Sequence, residues 1–312
     1  MNRFIKLFNS AIVSLFNDRR LFCDKLLLRY FKWLPDSLFL RFRYYFIVGR
    51  RLILHNPKRF NEKLQWLKLY NQQPEYTKMV DKIAVKDYVG QLIGYEYIIP
   101  TIKVWDKTED INIDELPEQF VLKTNHDGGS GGVVICKNKT SFDIEEAKRK
   151  LDKSLNNNIY LYFREWPYKN VKPTIFAEEL LEDSLNEDLL DYKVMCFDGE
   201  PKLIQLHKGR KSRHTQDFYD LQWNKLQISQ VGYPLDNSVE ACPVNLTEMI
   251  SLSRILANKI PFVRIDWYEV NRKLYFGEIT FFDGSGFVDF EQDEINELLG
   301  SWITLPSKTI EK

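Results

Sequence analysis

The sequence has few of the residues that build structural metal sites or disulfide frameworks. Its 312 residues include four cysteines and four histidines. The cysteines show no CxxC spacing and the histidines show no spacing typical of metal ligands, so neither a zinc site nor a disulfide framework is indicated. Reduced thiols, as in a cytoplasmic protein, are the expectation.

Long apolar runs are also missing. The N-terminal stretch carries apolar residues at helical spacing, but polar residues interrupt it too often for a helix that spans a bilayer. No cleavage pattern of a secretory signal peptide follows it. The hydrophobic content of 44% still suffices for a core, and the length predicts either two domains or one large composite domain.

Acidic residues are scarce in the first sixty residues, which hold three Asp/Glu against thirteen Lys/Arg. The rest of the chain holds 41 Asp/Glu against 31 Lys/Arg, so the net charge of zero combines a basic N-terminal part with an acidic remainder. The basic part carries an apolar helical stripe formed by Phe4, Phe8, Ala11, Ile12, Leu15 and Phe16. This pattern predicts either an anchor at an anionic membrane surface or a helical cap on a catalytic domain. Nucleic acid is the rival partner for a basic region, but none is expected.

The segment from Arg264 to Thr280 predicts two strands joined by a tight turn. Apolar and polar residues alternate on both sides of residues 271–273. A three-residue hairpin loop there would place Asp266 opposite Glu278 and Arg264 opposite Thr280. Two carboxylates beside a guanidinium suit a divalent cation and phosphate oxygens. The alternative is an edge hairpin with a solvated polar face.

A second segment, residues 119–136, predicts a strand, a glycine-rich loop and another strand. The loop comprises Gly128, Gly129, Ser130, Gly131 and Gly132. Such a loop lets the backbone approach a phosphate group, with φ > 0 expected at Gly131. Lys123 ends the preceding strand where its ammonium group can reach the same phosphate. The loop is neither a P-loop, because GxxxxGK[ST] is absent, nor a dinucleotide-binding fingerprint, because no helix pattern follows it. The alternative is an ordinary hairpin turn.

Taken in order, the lysine, the glycine-rich hairpin and the Arg-x-Asp…Glu pattern resemble the ATP-grasp superfamily of carboxylate–amine ligases. Three segments, residues 56–70, 81–89 and 275–281, resemble its TupA-like branch, which belongs to bacterial teichuronopeptide and polysaccharide biosynthesis. The similarity extends over residues 55–290. It implies an α/β (α+β) protein with the ATP-grasp fold, in which the nucleotide lies between two sheet-containing subdomains, preceded by a basic helical region.

The resemblance implies roles for individual residues at an ATP site. Lys82 and Lys123 correspond to the two phosphate-binding lysines, although Lys82 taken alone could be an exposed lysine in the first turn of a helix. Asp266 and Glu278 correspond to the Mg²⁺ ligands. Arg264 corresponds to the arginine that faces the phosphates and the oxyanion, and the glycine-rich loop corresponds to the lid.

The resemblance also implies how the rest of the nucleotide is bound. Residues 175–181 resemble the hinge strand that contacts the adenine edge, with Glu178 and the backbone of Glu179, Leu180 and Leu181 closest to the base. Asp191 falls where the family has an acidic residue for the ribose hydroxyls, and a solvated acid in a charged loop is the alternative. Thr280 departs from related ligases, which have Asn there. Its hydroxyl can still coordinate Mg²⁺ or bond to a water molecule.

Three shorter patterns predict elements around this site. Residues 60–70 predict an amphipathic core helix, and Asp81 and Gly94 are expected to bound another helix. Residues 192–207 predict a hairpin that turns at Asp198-Gly199. The basic segment 208–214 follows that hairpin. Its Arg210 and Arg213 are candidates for binding the carboxylate or phosphate of an acidic sugar, or the segment is a solvated turn.

The resemblance predicts an ADP-forming ligase with ATP and Mg²⁺ as cofactors. The expected partners are a hexuronic acid and an amino-acid or peptide amine, joined as an amide through an acyl phosphate during the synthesis of a bacterial surface polysaccharide. The alternatives are a non-catalytic, membrane-associated nucleotide-binding protein and an ATP-dependent glycan kinase. The expected location is cytoplasmic, at the inner face of the cytoplasmic membrane if the basic region is an anchor.

The expected organisation has four parts. Residues 1–60 form the basic helical region and residues 61–118 an N-terminal α/β part. Residues 119–183 form the lid subdomain, and residues 184–312 form the core subdomain with the metal site.

Overall fold

Two antiparallel sheets organise the chain. The computed structural model describes residues 19–128, 131–183, 189–209 and 213–309. The larger sheet has the spatial order β10 (Lys273–Thr280), β9 (Phe262–Val270), β5 (Asp191–Phe197), β6 (Glu200–Lys208), β7 (Thr215–Tyr219) and β8 (Lys225–Leu226). The smaller sheet has the order β1 (Thr101–Trp105), β4 (Ile175–Glu178), β2 (Phe120–Thr124) and β3 (Val133–Cys136). The predicted fold class, with two sheet-containing parts, is confirmed.

Helices cover both sheets and form the N-terminal region. They are α1 (residues 19–30), α2 (Asp36–Val48), α3 (Phe60–Tyr70), α4 (Glu75–Val80), α5 (Ala84–Ile93), α6 (Ile144–Leu155), α7 (Ile159–Phe163), α8 (Leu246–Leu256) and α9 (Asp293–Ser301). Helix α6 packs on β2 and β3, and α8 packs on β5, β6 and β9. Each sheet therefore has its own apolar core.

The predicted helix over residues 60–70 is present, but it is buried on all sides rather than along one stripe. Phe60, Leu64 and Leu67 lie in the core, as expected from the pattern. Lys68, on another face, is only 1% exposed. This burial is possible because α9 and the turn at residues 283–286 pack against α3, and backbone carbonyls of that turn accept hydrogen bonds from its polar side chains.

Two other predicted elements are confirmed. The Asp81 carboxylate accepts hydrogen bonds from the backbone N–H groups that precede and begin α5, and Gly94, with a φ of 111°, ends that helix. The β5–β6 hairpin turns at Asp198 and Gly199, whose φ angles of 49° and 86° are the left-handed values of a tight two-residue turn.

The small sheet takes strands from two of the predicted parts of the chain. β1 lies within residues 61–118 and pairs with β4, whereas the other three strands lie within residues 119–183. The lid sheet thus includes a strand that precedes its glycine-rich hairpin in sequence.

The N-terminal helices pack on the rest of the chain with one face. Leu27, Leu40 and Tyr44 are buried, and Arg43 joins α2 to α1 through an ion pair with Asp24. The predicted amphipathic stripe over residues 4–16 lies outside the described residues. Within the described ranges, no helix has the length and apolarity needed to cross a bilayer.

Candidate functional site

The β9–β10 hairpin brings the predicted metal ligands together, by a different route from the one expected. Its loop has two residues, Asn271 and Arg272, whose φ angles of 50° and 63° suit a tight turn. A bulge at Gly277 then shifts the register by one residue. As a result Asp266 is opposite Glu278, and Arg264 is opposite Thr280. The predicted pairing is correct because the bulge replaces the third loop residue.

These residues lie in a cleft between the two sheets. The small sheet contributes Lys123, Val133, Phe176 and Glu178, and the large sheet contributes Asp191, Lys193, Asp266, Tyr268, Phe276, Gly277 and Glu278. Helix α5 and the turn before it add Lys86 and Lys82, and Ile98 and Ile99 complete the lining. Sequence positions more than 180 residues apart therefore converge on one space.

Asp266 is held between two cations on the floor of this cleft. Arg264 grips its carboxylate with two parallel hydrogen bonds of 2.7 and 2.8 Å, and Lys193 pairs with it from β5. Lys193 also contacts Asp191, 3.0 Å away. Burial by itself would raise the pKa of Asp266, but Arg264 and Lys193 outweigh it and hold the pKa well below its usual range. Asp266 is therefore a carboxylate at every physiological pH.

Arg264 uses its remaining donors toward other parts of the site. Its Nη1 atom donates to Asp283, just after β10. Its Nη2 atom lies 3.3 Å from the Thr280 hydroxyl and 3.6 Å from a Glu278 oxygen. Burial lowers the pKa of Arg264, yet the surrounding carboxylates raise it well above its usual value. The guanidinium thus orients the predicted metal ligands: its Nε and Nη2 atoms bond to Asp266, and its Nη2 atom also lies beside Thr280 and Glu278.

Glu278 is the more accessible of the two paired carboxylates. Its side chain is 35% exposed, and one of its oxygens lies 3.8 Å from Lys82 Nζ. Among the described residues, no three carboxylate, histidine or cysteine side chains converge to form a metal cage. Two carboxylates and a hydroxyl nevertheless suit Mg²⁺, which is usually held by one or two carboxylates together with phosphate oxygens and water.

A second charged cluster belongs to the small sheet. The buried Glu178 carboxylate pairs with Lys123 from β2 and with Lys86 from α5, the latter at 2.8 Å. Burial favours a higher pKa for Glu178, but the two lysines outweigh it and lower the pKa. Burial in turn lowers the pKa of Lys86, although Glu178 opposes that effect. Glu178 thus neutralises two cations that face the cleft.

The predicted hinge follows directly after Glu178. Strand β4 ends there, and Glu179, Leu180 and Leu181 continue as irregular chain. The Glu179 N–H donates to the Pro100 carbonyl at 3.2 Å. The Glu179 N–H is therefore occupied. An adenine edge would bond instead to the Glu179 carbonyl and to the backbone groups of Leu180 and Leu181.

Two glycines of the glycine-rich loop, Gly131 and Gly132, are explained by close approach rather than by left-handed backbone. Gly128, Gly131 and Gly132 have no left-handed φ angle, which corrects the expectation of positive φ at Gly131. A Cβ at Gly132 would lie 2.2 Å from Thr124 Oγ1, and one at Gly131 would lie 2.8 Å from an Asp127 oxygen. Gly129 and Ser130 lie outside the described residues.

His126 and Asp127, just before the glycine-rich loop, are held by hydrogen bonds to neighbouring elements. The Asp127 carboxylate accepts from the Ser154 hydroxyl at 2.6 Å and from the Gly128 N–H at 2.9 Å. The Asp127 carbonyl accepts from Lys82 Nζ, which links the loop to the helix opposite. His126 is buried beside the Asn157 carbonyl, and burial lowers the pKa of its imidazole.

A buried layer lies behind the metal-ligand hairpin. Lys68 of α3 donates to the Ser285 carbonyl at 2.7 Å and to the Phe163 carbonyl at 2.9 Å. The Ser285 hydroxyl donates to Glu165. Burial lowers the pKa of Lys68 to about 7 and raises that of Glu165. This layer fixes the turn that follows β10, and sequence analysis assigned no role to it.

The structure describes one of the two predicted substrate arginines. Arg210 lies outside the described residues. Arg213 is exposed and is not among the residues that line the cleft. The register of β5 and β6 places His207 opposite Asp191, and β6 ends one residue later, at Lys208.

Sequence reasoning missed two lysines that carry clear local signals. Lys86 is four residues after Lys82, a spacing at which two residues of one helix lie on the same side, and the sequence predicts a helix that begins at Asp81. Lys193 is two residues after Asp191 on a strand, so both lie on one face of the sheet. Both periodicities were available from the residues alone.

Comparisons with known proteins add a family and several related folds. A sequence model described as TupA-like ATPgrasp matches residues 62–304. Curated protein sequences give no match. An N5-carboxyaminoimidazole ribonucleotide synthetase in complex with ADP is 14% identical with a TM-score of 0.43, over 70% of this chain and 50% of that one. This chain therefore spans half the length of that protein.

Two ligase structures are similar at comparable levels. D-alanine–D-alanine ligase from Helicobacter pylori is 13% identical with a TM-score of 0.43, over 79% of this chain and 70% of that one. D-alanine–D-alanine ligase from Bacillus anthracis is 19% identical with a TM-score of 0.35, over 65% of this chain and 56% of that one.

Proposed function

The chain belongs to the TupA-like family of ATP-grasp proteins, and from this premise we propose that it is an ATP-dependent, ADP-forming ligase that joins an amine to a carboxylate. ATP-grasp proteins of this kind are carboxylate–amine ligases that use ATP with Mg²⁺, which confirms the cofactor prediction at the level of the family. The observation that carries the proposal is the cleft itself. Asp266 and Glu278 face Lys82 and Lys123 across it, as a magnesium nucleotide requires.

The residues present suit each part of that ligand. Asp266 and Glu278, with Thr280 beside them, would hold Mg²⁺, and Lys82 and Lys123 would contact the phosphates. Residues 178–181 would bind the adenine edge, and Asp191 the ribose. When bound, Mg²⁺ neutralises phosphate charge and orients the γ-phosphoryl group. The Lys123 ammonium group carries three N–H donors, so it can contact a phosphate oxygen as well as Glu178.

The proposed reaction has two steps. A substrate carboxylate oxygen attacks the γ-phosphorus, the bond to the bridging oxygen breaks, and ADP leaves. The amine nitrogen then attacks the acyl carbon, loses a proton, and phosphate departs. Arg264 or backbone N–H groups would donate to the oxyanion of the tetrahedral intermediate. The glycine-rich hairpin would exclude water, because an acyl phosphate hydrolyses readily.

The finer identity of the substrates is part of the same proposal. We infer a hexuronic acid as the carboxylate and an amino acid or peptide as the amine, in the synthesis of a bacterial surface polysaccharide. The basic segment 208–214 begins at the end of β6, one residue after the partner of Asp191, and it supports an acidic acceptor with Arg210 and Arg213 as predicted ligands.

The test uses hydroxylamine as a general amine with glucuronic or galacturonic acid as the carboxylate. We expect hydroxamate, ADP and phosphate in equal amounts, with ¹⁸O from a labelled carboxylate appearing in the phosphate. Lys123→Ala should abolish this turnover, whereas the matched Lys107→Ala, at an exposed position outside the cleft, should not.

Each alternative function gives a different result in this assay. A glycan kinase would form ADP and a stable phosphorylated sugar without releasing phosphate. A non-catalytic binding protein would bind ATP without turnover. Either outcome with a range of uronic acids and amines would refute the ligase.

A further inference from the structure

The N-terminal helices expose an unusually apolar outer face. We call it the aromatic face, formed by Leu21, Phe22, Leu26, Tyr30, Phe31, Trp33, Leu38, Phe42 and Tyr45. Trp33 is 74% exposed and Phe22 is 61% exposed. Single exposed apolar residues are common on soluble proteins, but four of these, Leu26, Phe31, Trp33 and Phe42, line one groove, and such clustering marks an interaction site.

The inner face of the same helices is fully engaged, so the exposure does not reflect loose packing. Arg43 pairs with Asp24, lies over the rings of Phe163 and Phe287, and donates to the Tyr162 carbonyl. These contacts hold α1 and α2 to each other and to the catalytic part.

A second arginine, Arg164, holds the segment between α1 and α2 against the rest of the chain. Arg164 donates to the Lys32 carbonyl at 2.6 Å and pairs with Asp36 at 3.1 Å. It also lies over the Phe39 ring at 4.0 Å. The aromatic face is therefore presented by a rigidly attached unit.

A groove runs between α1 and α2 within this face. Its lining consists only of Cys23, Leu26, Leu27, Phe31, Trp33, Leu34, Phe42 and Phe46. None of these side chains carries a charge or an amide. Such a lining suits hydrocarbon and offers nothing to the phosphates or base edges of a nucleic acid.

Unpaired positive charge accompanies the apolar surface. Arg19, Lys25 and Arg29 are exposed on α1, and within the described part of the chain none of them forms an ion pair. The first sixty residues hold thirteen Lys/Arg and three Asp/Glu, whereas the remainder is acidic. A partner for this surface must therefore combine apolar groups with negative charge. A second copy docking through the same face would instead bring like charges together.

We propose that the aromatic face docks on an anionic membrane surface. Apolar and aromatic side chains would enter the boundary between headgroups and acyl chains, while the cations of α1 contact anionic headgroups. Because the face is rigidly attached, docking would hold the cleft at a fixed height above the bilayer. The substrate class that follows, resting on the proposed function, is an acidic sugar carried on a lipid.

The test measures co-sedimentation of the full chain with vesicles, without any turnover. We expect binding to phosphatidylcholine vesicles that contain phosphatidylglycerol, weak binding to pure phosphatidylcholine, and release as salt rises. Two paired variants should each weaken binding about tenfold or more: Trp33→Ser with Phe42→Ser, and Lys25→Glu with Arg29→Glu. The charge pair leaves the apolar groove intact, so it remains informative if the first pair impairs folding.

Matched controls come from elsewhere on the surface. Val239→Ser with Val244→Ser removes two similarly exposed apolar groups, and Lys107→Glu with Lys202→Glu reverses two exposed cations. Neither should change vesicle binding. Equal effects of the controls and the test variants would overturn the proposal.

Other occupants of the groove predict other outcomes. A second copy would give a dimer without vesicles that Trp33→Ser with Phe42→Ser dissociates. A protein segment such as residues 1–18 would make the same variant unfold at a much lower temperature without vesicles, while Lys25→Glu with Arg29→Glu would keep the vesicle binding of the wild type. Either result, or no binding to anionic vesicles, would refute membrane docking. Because the assay needs no ATP, such a failure is separate from a failure of the ligase proposal.

Discussion

At the residue scale, the two paired carboxylates differ in burial, and this predicts different consequences of neutralising them. Asp266 is 2% exposed between Arg264 and Lys193, whereas the Glu278 side chain is 35% exposed. Removing one member of a buried ionic group leaves the others uncompensated, at a cost of about 3–5 kcal/mol.

We therefore expect Asp266→Asn to lose both turnover and about 3 kcal/mol of stability. Glu278→Gln should lose turnover with a change of less than about 1 kcal/mol, because solvent screens its contacts. Denaturant unfolding together with phosphate release measures both quantities. Wild-type turnover in either variant would show that the metal site lies elsewhere.

His126 gives a pH prediction. Burial lowers its pKa in the folded state below the reference value of 6.5, so the unfolded chain takes up this proton first as pH falls. The stability associated with the neutral imidazole is complete above pH 6.5 and is lost below it, with a slope of at most about 1.4 kcal/mol per pH unit.

The comparison is between wild type and His126→Gln, unfolded in denaturant at several pH values. We expect the difference between the two free energies of unfolding to shrink below pH 6.5. A constant difference down to pH 5 would show that the imidazole titrates normally.

At the element scale, two glycines of the glycine-rich hairpin, Gly132 and Gly128, differ in how much space surrounds them. A Cβ at Gly132 would overlap Thr124 Oγ1 and Ser154 Oγ, whereas one at Gly128 would meet only Ile159 Cδ1, at 3.5 Å. The Thr124 and Ser154 hydroxyls also bond to each other at 2.7 Å. Gly132, just before β3, thus packs against Thr124 of β2 and Ser154 of α6.

We expect Gly132→Ala to lower the free energy of unfolding by about 1–3 kcal/mol, the usual cost of overpacking. Gly128→Ala should change it by less than about 0.5 kcal/mol. Thermal or denaturant unfolding of both variants measures this contrast. Equal stability of the two would mean that the loop does not pack against α6 as described.

The β9–β10 hairpin shows how two local features combine in one element. The two-residue turn sets one register and the bulge at Gly277 changes it before the site is reached. A Cβ at Gly277 would lie 3.1 Å from the Asp266 carbonyl oxygen, which explains the glycine at this position. Asp266 lies opposite Glu278 only because the two-residue turn and the bulge are both present.

At the scale of the whole molecule, the N-terminal region is both a cap and an exposed surface. Its inner face supplies Arg43 and Tyr44 to the buried contacts, and its outer face remains apolar. The two alternatives for this region are therefore compatible in the structure. Whether the outer face binds a membrane is the subject of the vesicle experiment.

The Arg43–Asp24 pair tests the cap. Arg43→Met should lower the free energy of unfolding by about 3 kcal/mol, because it leaves a buried carboxylate without its cation. Adding Asp24→Asn should recover part of that loss, since it removes the unpaired charge. If the double variant is no more stable than Arg43→Met, the pair does not hold α1 in place.

The sequence alone determined features that depend on neighbouring residues. Period-2 alternation located the β9–β10 strands, and the Asp81 cap and the Asp198-Gly199 turn followed from backbone chemistry within a few residues. The order of Lys123, the glycine-rich loop and the Arg264–Glu278 pattern identified the family and the two-sheet fold. These inferences succeeded because hydrogen-bonding geometry and side-chain periodicity are local properties.

Only the tertiary structure decided which charges meet. Glu178 joins Lys86 and Lys123 from three separate elements, and Lys68 is buried because α9 and the turn after β10 close over α3. No spacing along the chain encodes these contacts, since each depends on how distant elements pack. The same holds for the aromatic face: a helical pattern marks apolar residues, but the packing of α1 and α2 on the core determines which are covered and which remain exposed.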